Sequence, residues 1–243
     1  MNDLIYTKTY AIEDVHLDCF GRLKPSMLLS FVQDISGAHA AKLGAGWEDL
    51  NDKNLFWAII RHRIQIRRMP RSGEVLRLET WPMPTTRTAY PRATVAYDEQ
   101  GEVVFRTTAL WVLMDRAART MVLPGKSGVT VPGILRETEA DTPGALPPVD
   151  LEHTACRQVV FSELDRNAHM NNTRYLDWIA DLLSSEFHAC HTPSQIQLCY
   201  LSELRENQTA QLCWTLGEDS CLRVEAKQKD GQNQRVFGAQ IQF

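Results

Sequence analysis

From Leu164 to Asn172 the chain reads Leu-Asp-Arg-Asn-Ala-His-Met-Asn-Asn, placing a carboxylate, an imidazole and three amides within a few positions of one another. A carboxylate or an imidazole can take a proton from water, and an amide N–H can bond an oxygen that gains negative charge. Acyl transfer uses both kinds of group. Asp165, Asn167 and His169 alternate, so an extended segment would direct all three the same way. Asn171 or Asn172 suits the N-cap of a following helix, because a side-chain oxygen there accepts a backbone N–H left unpaired by the first turn. Such a helix end offers free N–H groups and partial positive charge to a developing anion. Asn171 and Asn172 alone mean no more than capping. The period-two triad is what packing does not explain.

Those groups need a scaffold. Tyr175, Leu176, Ile179, Leu182, Leu183 and Phe187 predict one long amphipathic helix directly behind them. A strand near Thr154–Phe161 precedes the cluster, and strands follow at Ser194–Leu204, Gln208–Leu216, Ser220–Lys229 and Arg235–Phe243. Lys229-Asp230-Gly231-Gln232 carries the Asp-Gly signal of a hairpin turn. The first half has the same plan. A strand at Tyr6–Ile12 leads to a helix over Lys24–Leu43, with Pro25 in its first turn and Met27, Leu28, Phe31, Val32 and Ile35 as its apolar stripe. Strands are predicted at Leu55–Arg68, Glu74–Trp81, Ala89–Asp98 and Val103–Asp115.

A shift of 147 residues lays Asp18 on Asp165, Phe20 on Asn167, Arg22 on His169 and Phe31 on Trp178. The helix and the Asp repeat; the amide and the imidazole do not. The expected class is α+β, a double (tandem) hotdog in which each unit is a long helix wrapped by an antiparallel sheet. Residues 1–130 form the N-terminal unit, 131–150 a Pro-, Gly- and Thr-rich linker with Pro147-Pro148 near its end, and 151–243 the C-terminal unit.

The formal net charge of −4 makes the whole molecule a poor electrostatic match for nucleic acid, so no nucleic-acid partner is expected. Six cysteines are scattered without a C-x-x-C pair, which argues against a zinc knuckle or a disulfide framework. No apolar run approaches the roughly 20 residues of a membrane span, and the first residues carry no basic-then-apolar signal pattern. The expectation is a cytoplasmic protein with no stable membrane insertion and neither cofactor nor metal. A homodimer is compatible with the layout. Gly125-Lys126-Ser127 lacks the upstream glycine of a phosphate loop, and His188 and His191 read as a helix end and turn.

Over nearly its whole length the chain resembles the acyl-acyl carrier protein thioesterases of bacteria and plant plastids. The resemblance is carried in the first half by Leu55-Phe56-Trp57-Ala58-Ile59-Ile60-Arg61, Pro70-Arg71-Ser72-Gly73-Glu74-Val75, Glu79-Thr80-Trp81 and Ala109-Leu110-Trp111-Val112-Leu113-Met114-Asp115. In the second half it is carried by Asp165-x-Asn167-x-His169-x-Asn171-Asn172 with Tyr175 and Trp178, and by Leu198-Cys199-Tyr200-Leu201-Ser202-Glu203-Leu204. It implies hydrolysis of the thioester between a fatty acyl chain and the phosphopantetheine arm of acyl carrier protein. Acyl carrier protein is then the partner, Asp165, Asn167, His169 and Glu203 are the catalytic residues, and the first unit holds the acyl tunnel. Met27, Leu28, Phe31 and Trp57 are candidates to line it. Arg61, Arg63, Arg67, Arg68 and Arg71 are candidates to receive an acidic carrier.

Many plant members have Cys directly after the catalytic Glu, whereas this chain has Leu204 there, which speaks against a cysteine nucleophile. The choice of base between His169 and Glu203 stays open at this level. So do an acyl-CoA thioesterase and a non-catalytic acyl-binding hotdog protein, and a hotdog dehydratase, which the tandem layout and the Trp57 region disfavour.

Overall fold

The computed structural model describes residues 4–137, 140–146, 152–229 and 234–243. The chain forms two compact units, Met1–Pro143 and Gly144–Phe243.

In the first unit β1 (Tyr6–Ala11) precedes α1 (Pro25–Lys42) and a short α2 (Trp47–Asn51). β2 (Leu55–Ile66), β3 (Val75–Pro82), β4 (Tyr90–Tyr97), β5 (Val103–Asp115) and the two-residue β6 (Met121–Val122) follow. The antiparallel order is β1-β3-β4-β5-β2, with β6 beside β5. α1 forms where the sequence predicts it. Pro25 occupies its first turn at no hydrogen-bond cost, and Leu28, Leu29, Val32, Ile35 and His39 recur every three or four residues as its buried stripe. Gly44, at φ +67°, stops it, and the Ala45 N–H bonds the Ala40 carbonyl.

Residues 123–137 and 140–143 belong to this unit. The Ile134 N–H bonds the Pro82 carbonyl at 3.0 Å, Arg136 bonds Glu79 at 2.9 Å, and the Thr108 hydroxyl donates to the Ala140 carbonyl at 2.6 Å. The expected linker over 131–150 therefore begins as a strap on the first sheet. Pro147-Pro148 lies outside the described residues.

The second unit has β7 (His153–Gln158), α3 (Arg174–Ala180), α4 (Ser185–Cys190), β8 (Gln195–Tyr200), β9 (Thr209–Leu216), β10 (Cys221–Gln228) and β11 (Arg235–Gln242), in the antiparallel order β7-β9-β10-β11-β8. The single long helix expected here is two short ones. Tight bonds from the Leu182 N–H to Ile179 and from the Leu183 N–H to Ala180 close α3, and the Ser184 hydroxyl caps α4 by accepting the Phe187 N–H. The apolar spacing runs through the break, so periodicity joined two helices that Ser184 separates. The predicted turn at Lys229-Asp230-Gly231-Gln232 falls almost wholly outside the described residues.

The internal repeat is structural. β1 and β7 have bounds 147 residues apart, as the shift requires. In the first copy Asp18 Oδ1 accepts the N–H groups of Phe20 (2.9 Å) and Arg22 (3.0 Å), and the Asp18 N–H bonds the Arg22 carbonyl (2.8 Å). In the second, Asp165 Oδ1 accepts those of Asn167 (2.8 Å) and His169 (3.2 Å), and the Asp165 N–H bonds the His169 carbonyl (2.7 Å). Both turns need a positive φ at the residue before last, supplied by Gly21 (+71°) and by Ala168 (+60°).

An L side chain at such an angle costs roughly 1 kcal/mol or more. Gly21→Ala should therefore lower stability by about that amount and Ala168→Gly should raise it, read from urea midpoints. A second expectation concerns His62, which burial takes from 6.5 down to about 3. The unfolded imidazole binds a proton below pH 6.5 that the folded one refuses. Its contribution is complete above that pH and is lost as pH falls towards 3. The drop in urea midpoint between pH 7 and pH 4.5 should shrink in His62→Gln; equal drops in both proteins would refute the assignment.

Candidate active site

The residues between Leu164 and Met170 do not form the extended segment that their alternation suggests. They fold into the closed turn just described, flanked by an isolated bridge between Leu164 and Met170. Asp165, Asn167 and His169 are gathered because one carboxylate serves several donors, not because a strand aims them together. Asp165 Oδ1 takes two backbone N–H groups, and Oδ2 lies 3.5 Å from Asn167 Nδ2. Asn167 Oδ1 is buried and meets no hydrogen-bond partner among the described residues. The amide is thus steered by Asp165 at one end and unsatisfied at the other.

Glu203 comes from the far side of the sequence. β8 ends at Tyr200, three residues before it, so the strand predicted to run to Leu204 is shorter than expected. The N–H groups of Leu201 and Ser202 both turn onto the Val236 carbonyl, which takes the chain out of ladder geometry. The Met170 N–H then bonds the Leu204 carbonyl at 2.8 Å and docks this segment beside the turn. As a result His169 Nε2 lies 3.3 Å from Glu203 Oε2, with the imidazole side chain 10% exposed and the carboxylate 35% exposed. A mostly buried imidazole against a half-exposed carboxylate is a pair able to hold a proton and present an oxygen to water.

Reading the sequence missed Glu163, which positions this end of the unit. Its Oε2 accepts the Val160 N–H (3.0 Å), its Oε1 the Trp178 indole N–H (2.6 Å), and its carbonyl the Asn171 N–H (2.8 Å). The signal lies in Trp178 itself, since an indole N–H needs an acceptor once the ring is buried. The helix end differs from expectation too. The N-cap is Thr173, and Asn171 Oδ1 already accepts both its N–H and its hydroxyl, each at 3.0 Å. Neither Asn171 nor Asn172 is the cap residue, and the Thr173 N–H is committed to Asn171 and not free for an anion. Tyr200 adds a further tie from β8, donating to the Asn172 carbonyl at 3.0 Å.

Leu204 is fully buried, and Cys199 sits in β8 with its sulfur 3.7 Å from the Gly144 carbonyl. In the first copy the matching turn is filled differently. Arg22 Nε reaches Asp18 Oδ2 at 3.1 Å and the guanidinium lies 4.8 Å from the Phe20 ring centroid. Of the arginines expected as a carrier landing site, Arg68 is paired with Glu74 (2.6 Å) and Asp98 (3.1 Å), Arg63 with Asp141 (3.7 Å) and Arg67 with Glu102 (3.8 Å). Three of the five arginines thus already have a carboxylate within 4 Å.

Asp165→Ala removes the acceptor of several N–H groups at once. It should cost about 1–3 kcal/mol of stability and abolish any ordered His169–Glu203 approach, checked by denaturant unfolding and by the His169 imidazole NMR signals.

Residues 3–123 match the family described as Acyl-ACP thioesterase N-terminal domain, and residues 150–243 the Acyl-ACP thioesterase C-terminal domain. Among curated proteins, the chloroplastic palmitoyl-acyl carrier protein thioesterase of Gossypium hirsutum is 23% identical over 232 residues, covering 89% of this chain and 56% of that protein. The chloroplastic oleoyl-acyl carrier protein thioesterase 1 of Arabidopsis thaliana is 21% identical over 224 residues, covering 84% and 62%. The chain thus spans less than two thirds of the length of these relatives.

An acyl-ACP thioesterase structure from Bacteroides thetaiotaomicron superposes with a TM-score of 0.89 at 23% identity, covering 100% of this chain and 98% of the other. The 12:0-ACP thioesterase from Umbellularia californica gives 0.82 at 20% identity, covering 98% and 96%. These likenesses establish the tandem hotdog fold. With both of the family's domains present, and in this order, the chain is a member of the acyl-ACP thioesterase family.

Proposed function

We propose that the protein hydrolyses fatty acyl thioesters of acyl carrier protein and releases free fatty acid, with the second unit carrying the chemistry. The observation that supports this most directly is the 3.3 Å approach of His169 Nε2 to Glu203 Oε2 within a unit that matches the family's C-terminal domain. Glu203, the more exposed of the two, takes a proton from water as the water attacks the thioester carbonyl. His169 orients the carboxylate and shares the proton. General base catalysis of this kind is worth about 10²–10⁴ in rate. The Asn167 Nδ2–H not turned towards Asp165 donates to the oxyanion, at roughly 3–4 kcal/mol for a well-placed donor. Asp165 is a positioning residue that holds the Asn167 and His169 backbone. The collapsing tetrahedral intermediate expels the pantetheine thiolate, which is reprotonated from the His169–Glu203 pair. A cysteine nucleophile has no place in this scheme, since Leu204 follows Glu203.

In this reading the first unit shelters the acyl chain between α1 and its sheet, where each buried methylene contributes about 0.8 kcal/mol.

Glu203→Gln and His169→Ala should each cut kcat on an acyl carrier protein thioester by about 10²–10⁴, with circular dichroism and melting temperature close to wild type. Near-normal turnover by Glu203→Gln would remove that carboxylate from the mechanism. Matched acyl carrier protein and CoA thioesters of one chain length, assayed side by side, decide the donor; a larger kcat/KM on CoA would overturn the carrier assignment.

A further inference from the structure

The helix-covered face of the first sheet is not the apolar surface that an unsubstituted hydrocarbon chain would need. Cross-strand register puts His62 of β2, Ala109 of β5 and Arg92 of β4 in one row. The next row holds Ile64, Thr107, Thr94 and Thr80 across β2, β5, β4 and β3. Residues paired in register present their side chains on the same face. That face lies under α1, because Arg92 Nη1 donates to His39 Nδ1 at 3.1 Å. His39, His62, Thr80, Arg92, Thr94 and Thr107 are all buried, none more than 8% exposed.

Half of this cluster satisfies itself. Thr80 Oγ1 accepts from Thr94 Oγ1 (3.0 Å) and from Arg92 Nη1 (3.3 Å), and donates to the Ala93 carbonyl (2.8 Å). The other half does not. Among the described residues Thr107 Oγ1 and His62 Nε2 meet no hydrogen-bond partner. The Arg92 guanidinium has an imidazole and a hydroxyl as its side-chain partners there, and no carboxylate. Burial lowers Arg92 only to about 10, so it stays charged at neutral pH, while His62 is neutral. A buried cation without a counter-anion is costly to keep, and so is a desolvated hydroxyl with no partner. Ala109, the smallest side chain in its row, separates Arg92 from His62.

We infer that the acyl group received by this unit carries an oxygen substituent on its chain, a hydroxyl or a carboxyl, bound by Arg92 together with Thr107 and His62. The inference rests on reading the first unit as the acyl-binding one. A run of methylenes laid over the same face would leave Thr107 Oγ1 and His62 Nε2 without a partner and the Arg92 charge without a counter-charge. An oxygen function accepts from the guanidinium and engages the hydroxyl and the imidazole. Sites built to hydrogen-bond a substrate oxygen reject the analogue lacking it far more strongly than an apolar pocket separates two hydrocarbons.

The test is calorimetric titration of the whole chain with dodecanoic acid, its hydroxy isomers with the hydroxyl moved along the chain, and dodecanedioic acid. At least one oxygenated acid should bind about tenfold or more tightly than dodecanoic acid, and its hydroxyl or carboxyl identity names the substituent. Thr107→Val is the deciding variant, because its lost hydroxyl holds no partner and the shape is kept. It should melt at or above wild type while the preference shrinks several-fold, and Arg92→Met should erase the preference. Equal binding of all probes, no binding of any, or an unchanged preference in Thr107→Val would show a structural polar network only and overturn the inference. Turnover of the acyl carrier protein thioesters of dodecanoic acid and of the best-bound oxygenated acid is measured separately. Binding of an oxygenated acid without any thioester hydrolysis would sink the hydrolase reading and leave this one standing. Hydrolysis without an oxygen preference would do the reverse.

Discussion

One carboxylate organises the second unit. By accepting the N–H groups two and four residues ahead of it, Asp165 forces the chain from Leu164 to Met170 into a closed turn. Charge-assisted bonds of this type are stronger than neutral ones, and they are made to backbone, so the turn's shape does not depend on which side chains decorate it. That independence explains how the same turn appears at Asp18 with quite different contents. The first copy fills the frame with a guanidinium stacked on an aromatic ring, a packing solution. The second leaves the frame holding an amide and an imidazole.

The turn alone would not make a site, because the carboxylate that completes it lies more than thirty residues away. What docks them is the backbone bond from the Met170 N–H to the Leu204 carbonyl. The first copy has its counterpart in the bond from the Leu23 N–H to the Pro70 carbonyl, at the same 2.8 Å. The docking of turn to segment is therefore a property of the hotdog unit itself. The His169–Glu203 pair is an addition to a contact that exists without it. Glu163 and Trp178 brace the other side, and His16 and Phe31 occupy the matching places in the first copy, their rings packed edge to face.

Much of this was legible in the residues. The order of elements followed from period-two alternation and turn chemistry, because several strands are punctuated by Gly or Asp, as at Gly73, Asp98, Gly101 and Gly217. α1 was read to within a residue or two, since Pro25 and Gly44 mark its ends. The helix in the second half was misread. Leu182 and Leu183 continue an apolar rhythm across Ser184, and periodicity has no means of seeing a cap in the middle of a stripe. The alternation of Asp165, Asn167 and His169 does not mark an extended segment, because a turn closed by a carboxylate also returns every second residue to one place. The pairing of Thr80, Thr94 and Thr107 was invisible, as cross-strand register only exists once the strands are aligned.

The strap formed by residues 123–137 and 140–143 bears on any attempt to dissect the molecule. Its chain runs along the first sheet, with Arg136 over the Trp81 ring and Ala140 buried. A gene fragment stopping at residue 130, where composition alone would end the first half, would strip Trp81 and Glu79 of that cover and bare the sheet to aggregation. One extended to Pro143 keeps the first half clothed in its own sequence.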